Sequence, residues 1–144
     1  TTKPVAPSPG RRASSICERP MSTIDTRLDE LAALSDGWLD GEVLAPTPHA
    51  IATARAVLRL LPDAPRPHLF PTPEGEVSAE WIIGRVSADA CFPAQPGAIE
   101  AGAVHVDDFA LTRDATADDA DHEAAASVLA AWLRGVSALA RVAA

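Results

Sequence analysis

With 144 residues, 47% of them hydrophobic, the chain is long enough for one domain that buries a core without help from metal or disulfide. A formal charge of −8 argues against a nucleic-acid backbone or an anionic membrane surface as partner, since both require clustered Lys and Arg, and leaves a basic protein surface as the compatible one. Aromatic residues are scarce, three Trp and three Phe with no Tyr, so the core is built mainly from small side chains and each indole carries a large share of it.

Residues 1–20, TTKPVAPSPGRRASSICERP, lack hydrophobic periodicity and read as a disordered Pro/Ser/Arg-rich tail ahead of a single domain over 21–144. Lys3, Arg11, Arg12 and Arg19 against Glu18 give this tail a net +3, so −11 falls on the remainder. No apolar stretch follows the twin arginine, as an export signal would need. Met21, the sole methionine, stands where helical patterning starts and is expected to be the native first residue.

A first helix is predicted from Ser22 or Thr23, with Ile24, Leu28 and Leu31 on one face and Gly37 in the left-handed position that ends it. The connector WLDGEVLAP follows, anchored by Trp38. Thr47 caps a second helix, and Pro48 takes its first position, where a missing N–H costs nothing. Ile51, Ala54, Leu58 and Leu61 form its inward stripe, and Pro62 ends it.

The stretch PTPEGEVSAEW, residues 71–81, combines turn residues with strict alternation and predicts a hairpin. Val77, Ala79, Trp81 and Ile83 share one face of its second strand; Glu76, Ser78, Glu80 and Ile82 share the other. Further strands are expected over RVSADACF, AIEAGAVHV and, as a short last one, FALTRD. Residues 118–141 read as a closing helix with acids at its start, Arg134 and Arg141 towards its end, and a broad apolar stripe. No apolar run is read as long enough to span a membrane. The order predicts an α+β fold: two N-terminal helices, a meandering antiparallel sheet of about four to five strands, and a C-terminal amphipathic helix packed on the sheet.

Two stretches, LSDGWLDGEVLAPTPHAIATARAVLRLL and PRPHLFPTPEGEVSAEW, together resemble a widespread family of small, uncharacterised bacterial proteins. Members carry a G-W-D-G-like loop, a Pro-started helix, a P-T-P-x-G turn and a strand ending in E-W. Here Leu39 is inserted between Trp38 and Asp40, and Val43 stands where such loops often have Gly. The likeness covers roughly residues 31–92 and implies the architecture. It implies no activity.

Trp81 is expected in the core, in phase with Val77, Ala79 and Ile83; Glu80, adjacent on a strand, then points the other way. The leading binding candidate is the acidic segment, Asp107, Asp108, Asp114, Asp118, Asp119, Asp121 and Glu123, read as a loop entering a helix and suited to a basic patch on another protein. The alternative is a ligand or metal site built from Asp36, Trp38 and Asp40 in the connector, or from Glu76 and Glu80 on the sheet. No catalytic residue, metal or cofactor is assigned. The four histidines lack metal-ligand spacing, and His105 beside Asp107 and Asp108 hints at an imidazole near carboxylates. Cys17 and Cys91 lie far apart without a C-x-x-C motif, which fits reduced thiols in a cytoplasm.

The leading functional expectation is therefore a non-catalytic, cytoplasmic protein-interaction module, of an antitoxin, immunity or phage-conflict accessory kind. A small enzyme or ligand binder and a DNA-mimicking inhibitor are the alternatives. No nucleic acid or membrane is expected as partner; a second copy of the chain is a further candidate.

Overall fold

The computed structural model describes residues 20–62 and 65–142. Apart from Pro20, the segment read as a tail lies outside the described residues, and so does Cys17. Two helices, α1 (Pro20–Ala32) and α2 (Pro48–Leu58), precede five strands, β1 (His68–Pro71), β2 (Val77–Ile83), β3 (Val86–Phe92), β4 (Ala98–His105) and β5 (Asp108–Asp118), and α3 (His122–Val142) closes the chain. The strands form one antiparallel meander in the order β1-β2-β3-β4-β5. This is the expected α+β architecture, with helices on one face of an open sheet.

Alternation decides which face they cover. Val77, Ala79 and Trp81 on β2, Val86, Ala88, Ala90 and Phe92 on β3, and Ile99, Ala101 and Ala103 on β4 are all buried. Ala88 and Ala103 stand in register beside Trp81, and such small neighbours leave room for a second indole. Trp132 of α3 fills it: the two rings meet edge to face, centroids 5.7 Å apart at 76°. Trp81 Nε1 donates to the Pro65 carbonyl at 3.2 Å, and Trp132 Nε1 to the Arg113 carbonyl at 3.0 Å, so neither buried indole N–H is orphaned. Trp81 is thus interior scaffolding, 1% exposed.

The helices are tied down by identifiable contacts. Thr47 caps α2 by accepting the Ala50 N–H at 3.0 Å, and its hydroxyl also donates to the Ala94 carbonyl at 2.7 Å, fixing the helix start to the β3–β4 turn. Arg55 bridges Asp25 and Asp29 of α1, each at 2.8 Å, and Arg59 reaches Asp25 at 3.2 Å. Arg27 Nε donates to the Leu69 carbonyl at 3.0 Å, covering part of the β1 edge.

Three expectations need correction. The first helix ends at Ala32, a turn before Gly37; Gly37, at φ +82°, instead donates its N–H to Val43 and closes the connector loop. The short last strand is an 11-residue one that extends to Asp118, and the closing helix begins only at His122. α3 also carries a window of mean hydropathy 1.3, long and apolar enough to cross a membrane by length and composition, although its Leu129, Trp132, Leu133 and Val136 are buried in this fold.

Candidate functional site

The face of the sheet opposite the helices bears the residues that alternation turns outward, and no helix among the described residues packs on it. Register lines up His68, Glu80, Asp89, Gly102 and Asp114 in one row across all five strands. The next row holds Phe70, Ser78, Cys91, Glu100 and Thr116. Glu76 sits at the head of β2. Among the described residues, no outward position on any strand holds Lys or Arg. Glu76, Glu80, Asp89, Glu100 and Asp114 therefore share one surface, on strands about 4.8 Å apart, without a Lys or Arg on that surface among the described residues.

Gly102 shapes this surface. Lacking a side chain between Asp89 and Asp114, it opens two adjoining shallow depressions of ≈ 440 and ≈ 320 Å³, both bordered by Asp89, Gly102 and Asp114. A Cβ on Gly102 would lie 3.3 Å from Asp114 Oδ1, so the carboxylate leans over the recess. Partial burial, and secondarily the neighbouring Glu80, pushes the Asp89 pKa above its ordinary value. The recess is short of positive charge.

Cys91 lies in the same recess as a half-buried thiol. Burial, then its hydrogen bond to Glu76, pushes the thiol up to about 12, so it stays protonated at neutral pH and donates to Glu76 Oε1 at 3.1 Å. The same carboxylate oxygen takes the Thr72 hydroxyl at 3.4 Å. Glu76 is thus held in place by the turn before it and the strand beside it.

The acidic segment fares differently from its reading as one loop. Asp108 and Asp118 stand at opposite ends of β5, about 33 Å apart at strand rise. Asp107 pairs bidentately with Arg85 at 2.9 and 2.6 Å, which lowers its pKa. Asp108 and Asp118 each accept a backbone N–H two residues on, and Asp121 caps α3 through the Ala124 N–H at 3.0 Å. Asp119, 3% exposed, meets His49 Nε2 at 2.6 Å and accepts the Gly97 N–H at 3.2 Å. Glu123 lies in the first turn of α3. Only Asp114 reaches the recess.

The connector candidates are occupied with their own loop. Trp38 Nε1 donates to the Leu44 carbonyl at 2.8 Å, Asp36 accepts the Ala45 N–H at 2.9 Å, and Asp40 accepts the Gly41 N–H at 2.8 Å. Of the alternative residues, Glu76 and Glu80 sit on the open face, and no bond among the described residues links Asp36, Trp38 or Asp40 to them. The hinted pairing of His105 with an Asp carboxylate is not formed: its Nδ1 takes the Asp107 backbone N–H at 3.2 Å while that side chain is engaged by Arg85. His105 is buried, and its Nε2 has no partner among the described residues. The His–Asp pair that does form, His49–Asp119, has no hydroxyl or thiol bonded to it among the described residues. Nor do any three His, Cys, Asp or Glu side chains among them converge to hold a metal ion.

Asp89 and Glu100 were missed. Each alternates with buried neighbours, Ala88 and Ala90 or Ile99 and Ala101, which was a signal that they face outward. What sequence could not supply was the register that sets Asp89 beside Glu80 and across Gly102 from Asp114. No protein family, curated protein or solved structure matches the chain, so the resemblance to a bacterial family rests on its quoted motifs alone.

Proposed function

We propose that the protein is a non-catalytic, cytoplasmic interaction module that holds a Lys- or Arg-rich segment of another protein on the uncovered acidic face of its sheet. The observation that carries this reading is the recess at Gly102, flanked by Asp89 and Asp114 and bordered by Glu100, with Glu80 beside Asp89 in the same row and no Lys or Arg on this face among the described residues. An ammonium or guanidinium seated there pairs with both aspartates and, by its charge, opposes the rise that burial and secondarily Glu80 impose on the Asp89 pKa. A protonated thiol and hydroxyls at the border favour recognition over covalent chemistry. Accessory roles of the antitoxin, immunity or phage-conflict kind are uses to which a small acidic binder lends itself.

Titration calorimetry with an oligolysine peptide tests the reading. Binding is expected to weaken steeply between about 50 and about 300 mM salt. The triple variant Glu80→Gln/Asp89→Asn/Asp114→Asn is expected to lose roughly tenfold or more in affinity, and Gly102→Val, which fills the recess at unchanged charge, to lose a similar amount. Neutralising three acids elsewhere, Glu42→Gln/Glu74→Gln/Asp108→Asn, should leave most of it. Equal losses in both triple variants would reduce the interaction to bulk charge and remove the site.

A further inference from the structure

Four of the chain's 12 basic residues, Lys3, Arg11, Arg12 and Arg19, fall within residues 1–20, against one acid, Glu18. The described residues hold eight arginines and no lysine, and Arg27, Arg55, Arg59 and Arg85 are already paired with carboxylates. On the uncovered sheet face, no Lys or Arg is found among the described residues. One chain thus carries a segment of surplus positive charge and a face of surplus negative charge.

The segment joins the fold at the sheet's open edge. Thr23, Ile24 and Arg27 of α1 line a hollow of ≈ 340 Å³ with His68, Leu69 and Phe70 of β1, the strand that ends the sheet. A chain running back from Pro20 therefore starts beside β1 and has a single strand edge to round. Rounding it takes about 10 Å, one layer spacing, and the recess on β4 lies three strand spacings further, about 14 Å. Arg12 and Arg11 stand eight and nine residues before Pro20, a reach of about 26 and about 30 Å at roughly 3.3 Å per residue. Both arrive at the recess. Ile16, the sole large aliphatic residue between Val5 and Pro20, has a reach of about 13 Å, which brings it to Phe70, the outward side chain of β1, 44% exposed.

We propose that residues 11–16 turn back around β1 and lie on the acidic face of their own chain, with Arg11 and Arg12 at the recess between Asp89 and Asp114 and Ile16 against Phe70. Order and chemistry then match from edge to centre: the apolar residue nearer the anchor meets the apolar strand edge, and the farther arginines meet the carboxylates. The tether holds segment and face at an effective concentration of order millimolar, so contacts too weak to retain a free peptide suffice. The segment thereby occupies the surface that a basic partner uses and competes with it. That regulatory role rests on the function proposed above; the docking itself does not. A chain begun at Met21 lacks the segment and leaves the face open.

Paramagnetic relaxation in the full chain tests this. With Cys17→Ser and Cys91→Ser, a nitroxide on Ser14→Cys is expected to broaden the amides of Phe70, Asp89, Gly102 and Asp114 at about 50 mM salt, and the effect to fade by about 300 mM. Adding Arg11→Gln/Arg12→Gln should abolish it at the three recess residues. If the cysteine replacements disturb the fold, amide shifts of the natural chain against Arg11→Gln/Arg12→Gln alone decide, with differences expected at the same residues. Broadening confined to α1 and β1, or indifferent to the two arginines, overturns the docking. So does broadening between copies when nitroxide and isotope label are placed on different chains, since the occupant is then a second copy. The regulatory role has a separate readout: Arg11→Gln/Arg12→Gln should bind oligolysine at least about threefold more tightly than the natural chain. Docking with unchanged oligolysine affinity overturns the competition. Oligolysine bound at the recess without docking overturns the inference and leaves the proposed function standing; docking without oligolysine binding to either chain does the reverse.

Discussion

Asp89 and Cys91 sit two residues apart on one strand, and the same surroundings act on both. Each loses hydration in the recess around Gly102, and each faces carboxylates rather than cations. For Asp89 the sign of the pH effect follows directly. A carboxyl whose pKa is higher in the folded chain binds its proton more tightly there, so it opposes folding at neutral pH, and the penalty fades as pH falls through the raised pKa to the ordinary value. Asp89→Asn is therefore expected to stabilise the protein at pH 7 by a few tenths of a kcal/mol, after solvent screening, and to make no difference near pH 3; chemical denaturation at the two pH values checks this. Cys91 follows the same logic. Raising a thiol from 9.0 to about 12 cuts its thiolate fraction about a thousandfold at neutral pH. With Cys17 replaced by Ser, the remaining thiol should react with a disulfide reagent at least about a hundredfold more slowly in the native than in the denatured chain at pH 7.5. Equal rates would show an open, ionised thiol, and the exclusion of nucleophilic chemistry would go with it.

At the scale of elements, the parts with local signals were legible and the parts that depend on pairing were not. Thr47-Pro48 announces a helix start in two residues of side-chain chemistry, and α2 begins there. Val77 to Ile83 alternates strictly, and β2 matches it residue for residue. Gly37 misled because a positive φ serves a loop as well as a helix end, and a single sequence does not distinguish them. The acids and threonines of β5 look like loop, so the sequence pattern stops short of its full length; what holds it as a strand is a register of partners along β4, which no local pattern reports. The candidate site was half legible for the same reason: parity gave the outward direction of Glu76 and Glu80, and only pairing assembled the row. Thr47 offers a test of element-level reasoning, because one hydroxyl performs two tasks, capping α2 and donating to Ala94. Thr47→Ala should cost about 1–2 kcal/mol by thermal unfolding, and Thr47→Ser, which keeps both bonds, well under half of that.

The whole molecule divides its surfaces by sign and polarity. The helix side is sealed around Trp81 and Trp132, with alanines on the sheet making room for two indoles. The opposite face of the sheet is acidic and, among the described residues, uncovered. Most carboxylates of the 107–123 stretch are consumed locally, in an Arg85 pair, in turns, in a helix cap and in the His49 contact, whereas Glu80, Asp89, Glu100 and Asp114 of the sheet face have no side-chain bond among the described residues. The central claim is that binding happens there. Amide chemical-shift mapping of the labelled protein on addition of an oligolysine peptide tests it most directly. The account predicts shifts concentrated at Glu80, Asp89, Gly102 and Asp114 and absent from the 36–44 loop; shifts confined to that loop, or to the helix side, would contradict it.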